Sequence, residues 1–149
     1  MGRRFDRLTL AVLLTGVLAS HASAETAANA VRKWGLIGTW AADCSAPAGK
    51  ERARLSYVIA GDNKLVHRRD LGDRQDESPV LDAKASGDGM LNLRVVFPAF
   101  SQTREYGNIR LADGTMRTMY NHDDKQQYSV KDGIFTANGN PTPALHKCK

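Results

Sequence analysis

The chain has 149 residues, with 21 Lys and Arg against 16 Asp and Glu, two cysteines and 7% aromatic residues. That length suits one domain around one core, with no repeat, low-complexity tract or interdomain linker to divide it. The charges are interspersed and the one basic cluster, His67-Arg68-Arg69, is closed at once by Asp70, so no nucleic-acid partner is expected.

Residues 1–24 carry the three parts of an export signal: Arg3, Arg4 and Arg7 at the start, an apolar run over 8–19, and the small-residue stop Ala22-Ser23-Ala24. Cleavage after Ala24 is expected, leaving 125 of the 149 residues and 18 basic against 15 acidic side chains. The expected location is periplasmic or extracellular. The apolar run falls short of the roughly 20 residues a membrane span needs, and no later run is longer. A lipid anchor would need a cysteine after the cleavage site, where this chain has Glu25.

The alanine-rich stretch 25–34 reads as a flexible or briefly helical lead-in, and 35–149 as the single folded domain. Turn signals then recur at short intervals: Gly61-Asp62-Asn63, Gly72-Asp73, Ser86-Gly87-Asp88-Gly89, Ala112-Asp113-Gly114, Lys131-Asp132-Gly133 and Asn138-Gly139-Asn140-Pro141. Between them lie runs of strand length at 35–42, 52–60, 64–70, 78–85, 90–97, 103–111, 115–122, 126–130 and 134–137. Alternation marks an inner face most clearly for Leu91, Leu93, Val95 and Phe97, and for Ala53, Leu55, Tyr57 and Ile59. No helical spacing follows the lead-in. The pattern predicts an all-β fold, an up-and-down antiparallel barrel of about eight strands, since such a meander closes without exposed edges.

Closure would put the first strand beside the last. Cys44 lies just past the first strand and Cys148 just past the last, so a disulfide would fasten the seam in an oxidising compartment, whereas in the cytosol the pair would raise metal or redox chemistry.

Gly38-Thr39-Trp40, opening the first strand, resembles the G-x-W signature of the calycin group of lipocalins, fatty-acid-binding proteins and avidin-like barrels. The resemblance covers these three residues and the strand count; the T-D-Y and later arginine of the second lipocalin motif have no counterpart. It implies that Trp40 packs across the closed end of a barrel and that Gly38 lets the entering chain approach closely.

If each strand turns its more apolar side inward, Tyr57, His67, Arg69, Glu105, Tyr120 and Tyr128 project into the interior as polar groups that would orient a small apolar or amphipathic ligand. Two alternatives stay open. Arg69 and Glu105 satisfy each other or face water at a barrel mouth, or the strand at 64–70 turns Val66 rather than Leu65 inward. Catalytic signatures are absent: no G-x-S-x-G, HExxH or C-x-x-C occurs, Asp123 and Asp124 are adjacent as in a turn, and His122, His67 and His146 lack metal-ligand spacing. The acidic stretch Asp73-Arg74-Gln75-Asp76-Glu77 lacks the periodicity of a calcium loop and reads as a solvated surface loop. No enzyme activity and no cofactor are expected. The partner classes are a small-molecule ligand for a lipocalin-like carrier, or a secreted protease or lysozyme for an inhibitor using 25–29 as an inserted tail; a structural envelope protein is the third reading.

Overall fold

The computed structural model describes residues 26–148, so the expected signal at 1–24 lies outside the described residues. Helix α1, Ala27–Trp34, starts where the Thr26 hydroxyl accepts the Asn29 N–H and ends at Gly35, whose left-handed backbone (φ 82°) lets its N–H reach the Val31 and Arg32 carbonyls. It lies against β4, with Ala28, Ala30 and Val31 buried.

Ten antiparallel strands follow: β1 Gly38–Ala41, β2 Arg54–Ile59, β3 Leu65–Asp70, β4 Gln75–Ala85, β5 Leu91–Phe97, β6 Gln102–Arg110, β7 Met116–Asp123, β8 Tyr128–Lys131, β9 Ile134–Phe135 and β10 His146–Cys148. β1 to β9 pair consecutively, and β10 returns to pair with the free side of β1. This corrects the expectation of a closed eight-stranded barrel. The ladder order is open, with β10 and β9 at its two ends. A single bridge, in which Met116 and Leu145 exchange two backbone hydrogen bonds at 2.8 and 2.7 Å, ties the residue before β10 to the start of β7. The tenth strand is only three residues long and follows Pro141 and Pro143, so no periodicity announces it. The surface-loop expectation for 73–77 is also corrected, since β4 already runs from Gln75.

The core lies on one face of this curved sheet. Leu91, Leu93, Val95 and Phe97 of β5 are buried in strict alternation, joined by Tyr57, Leu65, Val80, Met116 and Leu145 and by Val31 and Leu36 from the entry segment. Trp40 is fully buried and donates its indole N–H to the Leu36 carbonyl at 2.7 Å, so the one polar atom of this large side chain is satisfied. Arg110 and Lys147 lie over the Trp40 ring at 5.3 and 5.6 Å from its centre, and both donate to the Gly35 carbonyl at the C-terminal end of α1. Gly38 (φ 128°) carries no Cβ where one would come within 2.8 Å of the Lys147 chain.

Cys44 and Cys148 form a disulfide with Cα atoms 5.5 Å apart, spanning 104 residues. β10 is thereby held to β1 both by the ladder and covalently. The expected all-β class and the bridge are therefore present, on an open sheet in which the bridge fastens the returning strand β10 beside β1.

Candidate functional site

Alternation along β2 and β3 sends Tyr57, His67 and Arg69 to the core face. Tyr57 and His67 are register partners, both buried, with rings stacked 4.8 Å apart. Phe97 and Tyr106 complete an aromatic enclosure, their ring centres 6.1 and 6.3 Å from that of His67. Neither His67 ring nitrogen has a hydrogen-bond partner. Burial, reinforced by the Arg69 charge and opposed by Asp76, pushes the imidazole down to about 4 from 6.5. Leu65 rather than Val66 faces the core, which closes the alternative left open for this strand.

Arg69 reaches the open end of the face, its guanidinium 4.7 Å from the centre of the Phe97 ring. It donates from Nε and Nη2 to the two carboxylate oxygens of Asp76, its register partner on β4, at 2.8 and 2.6 Å. This bidentate bond raises the arginine further and lowers the Asp76 carboxyl. Glu105 is not its partner.

Glu105, Tyr120 and Tyr128 are corrected as inward residues. Tyr120 donates to Asn92 Oδ1 at 2.7 Å, and Asn92 alternates with buried Leu91 and Leu93, so both stand on the opposite face of the sheet. Glu105 lies there too, its carboxylate 3.7 Å from His122 Nε2, and the His122 ring stacks on Tyr120 and meets Tyr128 at 4.9 Å. The cause is local. A bulge at Met119, where Gly107 pairs with Tyr120 but Asn108 with Thr118, reverses the alternation of β7. The Tyr120 ring then covers Gly107, where any Cβ would fall 2.1 Å from it. In β6 the core-facing set is Arg104, Tyr106 and Asn108, which offers a single apolar residue to betray its side.

The residues that take the inward places on β6, β7 and β8 are Arg104, Tyr106, Asn121 and Val130. Burial pushes the Tyr106 phenol up to about 12, moderated by the nearby Arg69 charge. A cavity of about 260 Å³ opens beside it, with Leu55, Val130, Phe135 and Leu145 among its walls. A second hollow of about 330 Å³ at the mouth shares Tyr106 and Asn121 with the first and adds Arg69, Phe97, Phe100 and Arg104. No sequence signal marks this pairing, because Arg104 and Asn121 are polar residues in strands with no apolar majority on their side.

The tail proposed for target insertion is not extended: Ala27–Asn29 form the first turn of α1, with Ala28 buried, and Glu25 lies outside the described residues. Among the described residues no three His, Cys, Asp or Glu side chains gather as a metal site, and no helix is long and apolar enough to cross a membrane. Comparison with family models, with curated proteins and with solved structures finds no match to this chain.

Proposed function

We propose that this chain is an exported binding protein of calycin type, holding a small apolar or amphipathic ligand on the core face of its sheet without performing catalysis. The observation that carries this reading is a pair of neighbouring hollows. A cavity of about 260 Å³, mostly apolar but with Lys50, Glu51 and Arg52 among its lining residues, shares Tyr106 and Asn121 with a second, more polar hollow, and apolar walls with a few placed polar groups are how small-molecule sites orient their ligands. The disulfide accords with an oxidising compartment. Trp40 and Gly38, at the opposite end from the mouth, are structural in this reading.

The test is a fluorescent apolar dye titrated against wild type and Ala53→Phe. Ala53 lines the cavity and is only partly buried, so a phenyl group there fills the space from its edge. Saturable one-to-one binding by wild type, lost in the filled variant with its melt unchanged, is the expected result. Absence of saturable binding, or binding indifferent to the filled cavity, overturns the reading.

A further inference from the structure

Between β1 and β2 the chain makes a strap over 42–53 that contributes no buried residue and no strand of the sheet. It nevertheless walls the cavity of about 260 Å³: Ala42 and residues 50–53 line it, as do Thr142, Pro143 and Leu145 from the segment leading to Cys148. These two stretches are the ones that the disulfide joins, at Cys44 inside the strap and at Cys148 just beyond Leu145. A second tie runs from the sheet, where Arg54 at the start of β2 donates from Nη2 to the Cys44 and Ala46 carbonyls at 3.0 and 2.7 Å. Within the strap, Asp43 Oδ1 accepts the Ser45 and Ala46 N–H groups, and Gly49 and Arg52 exchange two backbone hydrogen bonds.

We infer that the Cys44–Cys148 bond is the clasp of the binding cavity, so that its reduction by a dithiol frees the strap and releases the ligand. This rests on the binding reading above. A segment that buries little opens locally at small cost, whereas strands around a core open only near the global cost, so cutting the covalent tie acts first on the strap. β10 is held independently of the sulfurs, by three residue pairs with β1 and by the two bonds between Leu145 and Met116 just before it. The chemistry balances. One thiolate of the dithiol attacks a cystine sulfur to give a mixed disulfide, its second thiol closes on the first, and both electrons and both protons end on Cys44 and Cys148 as two thiols. Both cysteines are partly exposed, which gives the attacking thiolate access. The coupling is reciprocal: a ligand bound more tightly by the oxidised chain protects the bond from reduction by the same factor.

The fluorescent apolar dye, loaded on the protein and chased with excess phospholipid vesicles, tests this through its dissociation rate. Oxidised wild type, wild type reduced with dithiothreitol, and oxidised Arg54→Gln are compared, with far-ultraviolet circular dichroism recorded alongside. Reduced wild type should keep its strand signal and release dye roughly tenfold or more faster, the usual size of a coupling between sites, expressed in the off-rate. Arg54→Gln, with the disulfide intact, should also release dye faster, because the strap has lost its second tie. The double variant Cys44→Ser, Cys148→Ser should match the reduced rate and ignore dithiothreitol. Equal release by oxidised and reduced wild type overturns the clasp, as does loss of the strand signal on reduction, since the bond then holds the whole fold rather than the strap. Release from Arg54→Gln at the wild-type rate overturns it as well. Each of these leaves the cavity standing, whereas failure of oxidised wild type to bind the dye overturns the cavity reading and this one with it.

Discussion

Replacing His67 by phenylalanine should make the protein markedly less sensitive to mild acid. The imidazole is sealed between Tyr57, Phe97 and Tyr106, with neither nitrogen hydrogen-bonded and with Arg69 opposing its protonation more than Asp76 favours it. The unfolded chain takes up this proton near pH 6.5, whereas the folded chain takes it up only near 4. Between those values acid therefore favours unfolding. The stability associated with the neutral ring is complete above pH 6.5, falls as pH drops toward 4, and changes no further below. The full span corresponds to about 3 kcal/mol, of which about 2 kcal/mol disappears between pH 7 and 5. Phenylalanine keeps a ring on Tyr57 and removes both the titration and the two orphaned nitrogens. Urea melts of wild type and His67→Phe at pH 7, 6 and 5 should show the wild-type curve descending by that amount relative to the variant. Parallel descent of the two would refute the argument, since His67 would then bind its proton equally in both states.

Trp40→Ala should lower stability by about 3–5 kcal/mol, the usual cost of deleting a fully buried large aromatic side chain. Trp34→Ala should cost less, because Trp34 is only partly buried at the end of α1 and is held by one bond to the Gly89 carbonyl; a denaturant series ranking Trp34 as the worse loss would contradict the placement of the plug. Unfolded, unreduced protein should show no titratable thiol, and reduction should lower stability by up to about 4.7 kcal/mol, the chain-entropy value for a loop near 100 residues. Two reactive thiols before reduction would contradict the bridge.

Strand β5 was legible because its side chains divide cleanly between core and solvent: Leu91, Leu93, Val95 and Phe97 inside, Asn92, Arg94 and Val96 outside. Tyr57 was legible through Leu55 beside it, whereas the side of His67 stayed open because Val66 competes with Leu65 for the inner face. The failure came at β6 and β7. One inserted residue at Met119 moves Tyr120 across the sheet, and a bulge leaves no mark in composition. β6 failed separately, because Tyr106 is the one apolar residue marking its inner side, and Arg104 was hidden behind the acid that follows it. Asp76 was missed for a different reason: a run of charged residues looks solvated, yet register with Arg69 draws its carboxylate toward the mouth. Polar sites built from register partners are set by pairing geometry, which hydrophobic periodicity does not encode.

The return of β10 to β1 has a consequence in time. Strands β2 to β9 each find their preceding partner as soon as they emerge, but Thr39 and Ala41 must wait for Cys148 and His146. With 104 residues between the joined cysteines, and synthesis at roughly 5–20 residues per second, that wait is about 5–20 s. For all of it one edge of β1 presents unpaired N–H and C=O groups beside an unjoined Cys44 thiol, a template on which another chain can pair or exchange. Anything that holds the emerging chain apart from others during those seconds protects that edge until β10 arrives.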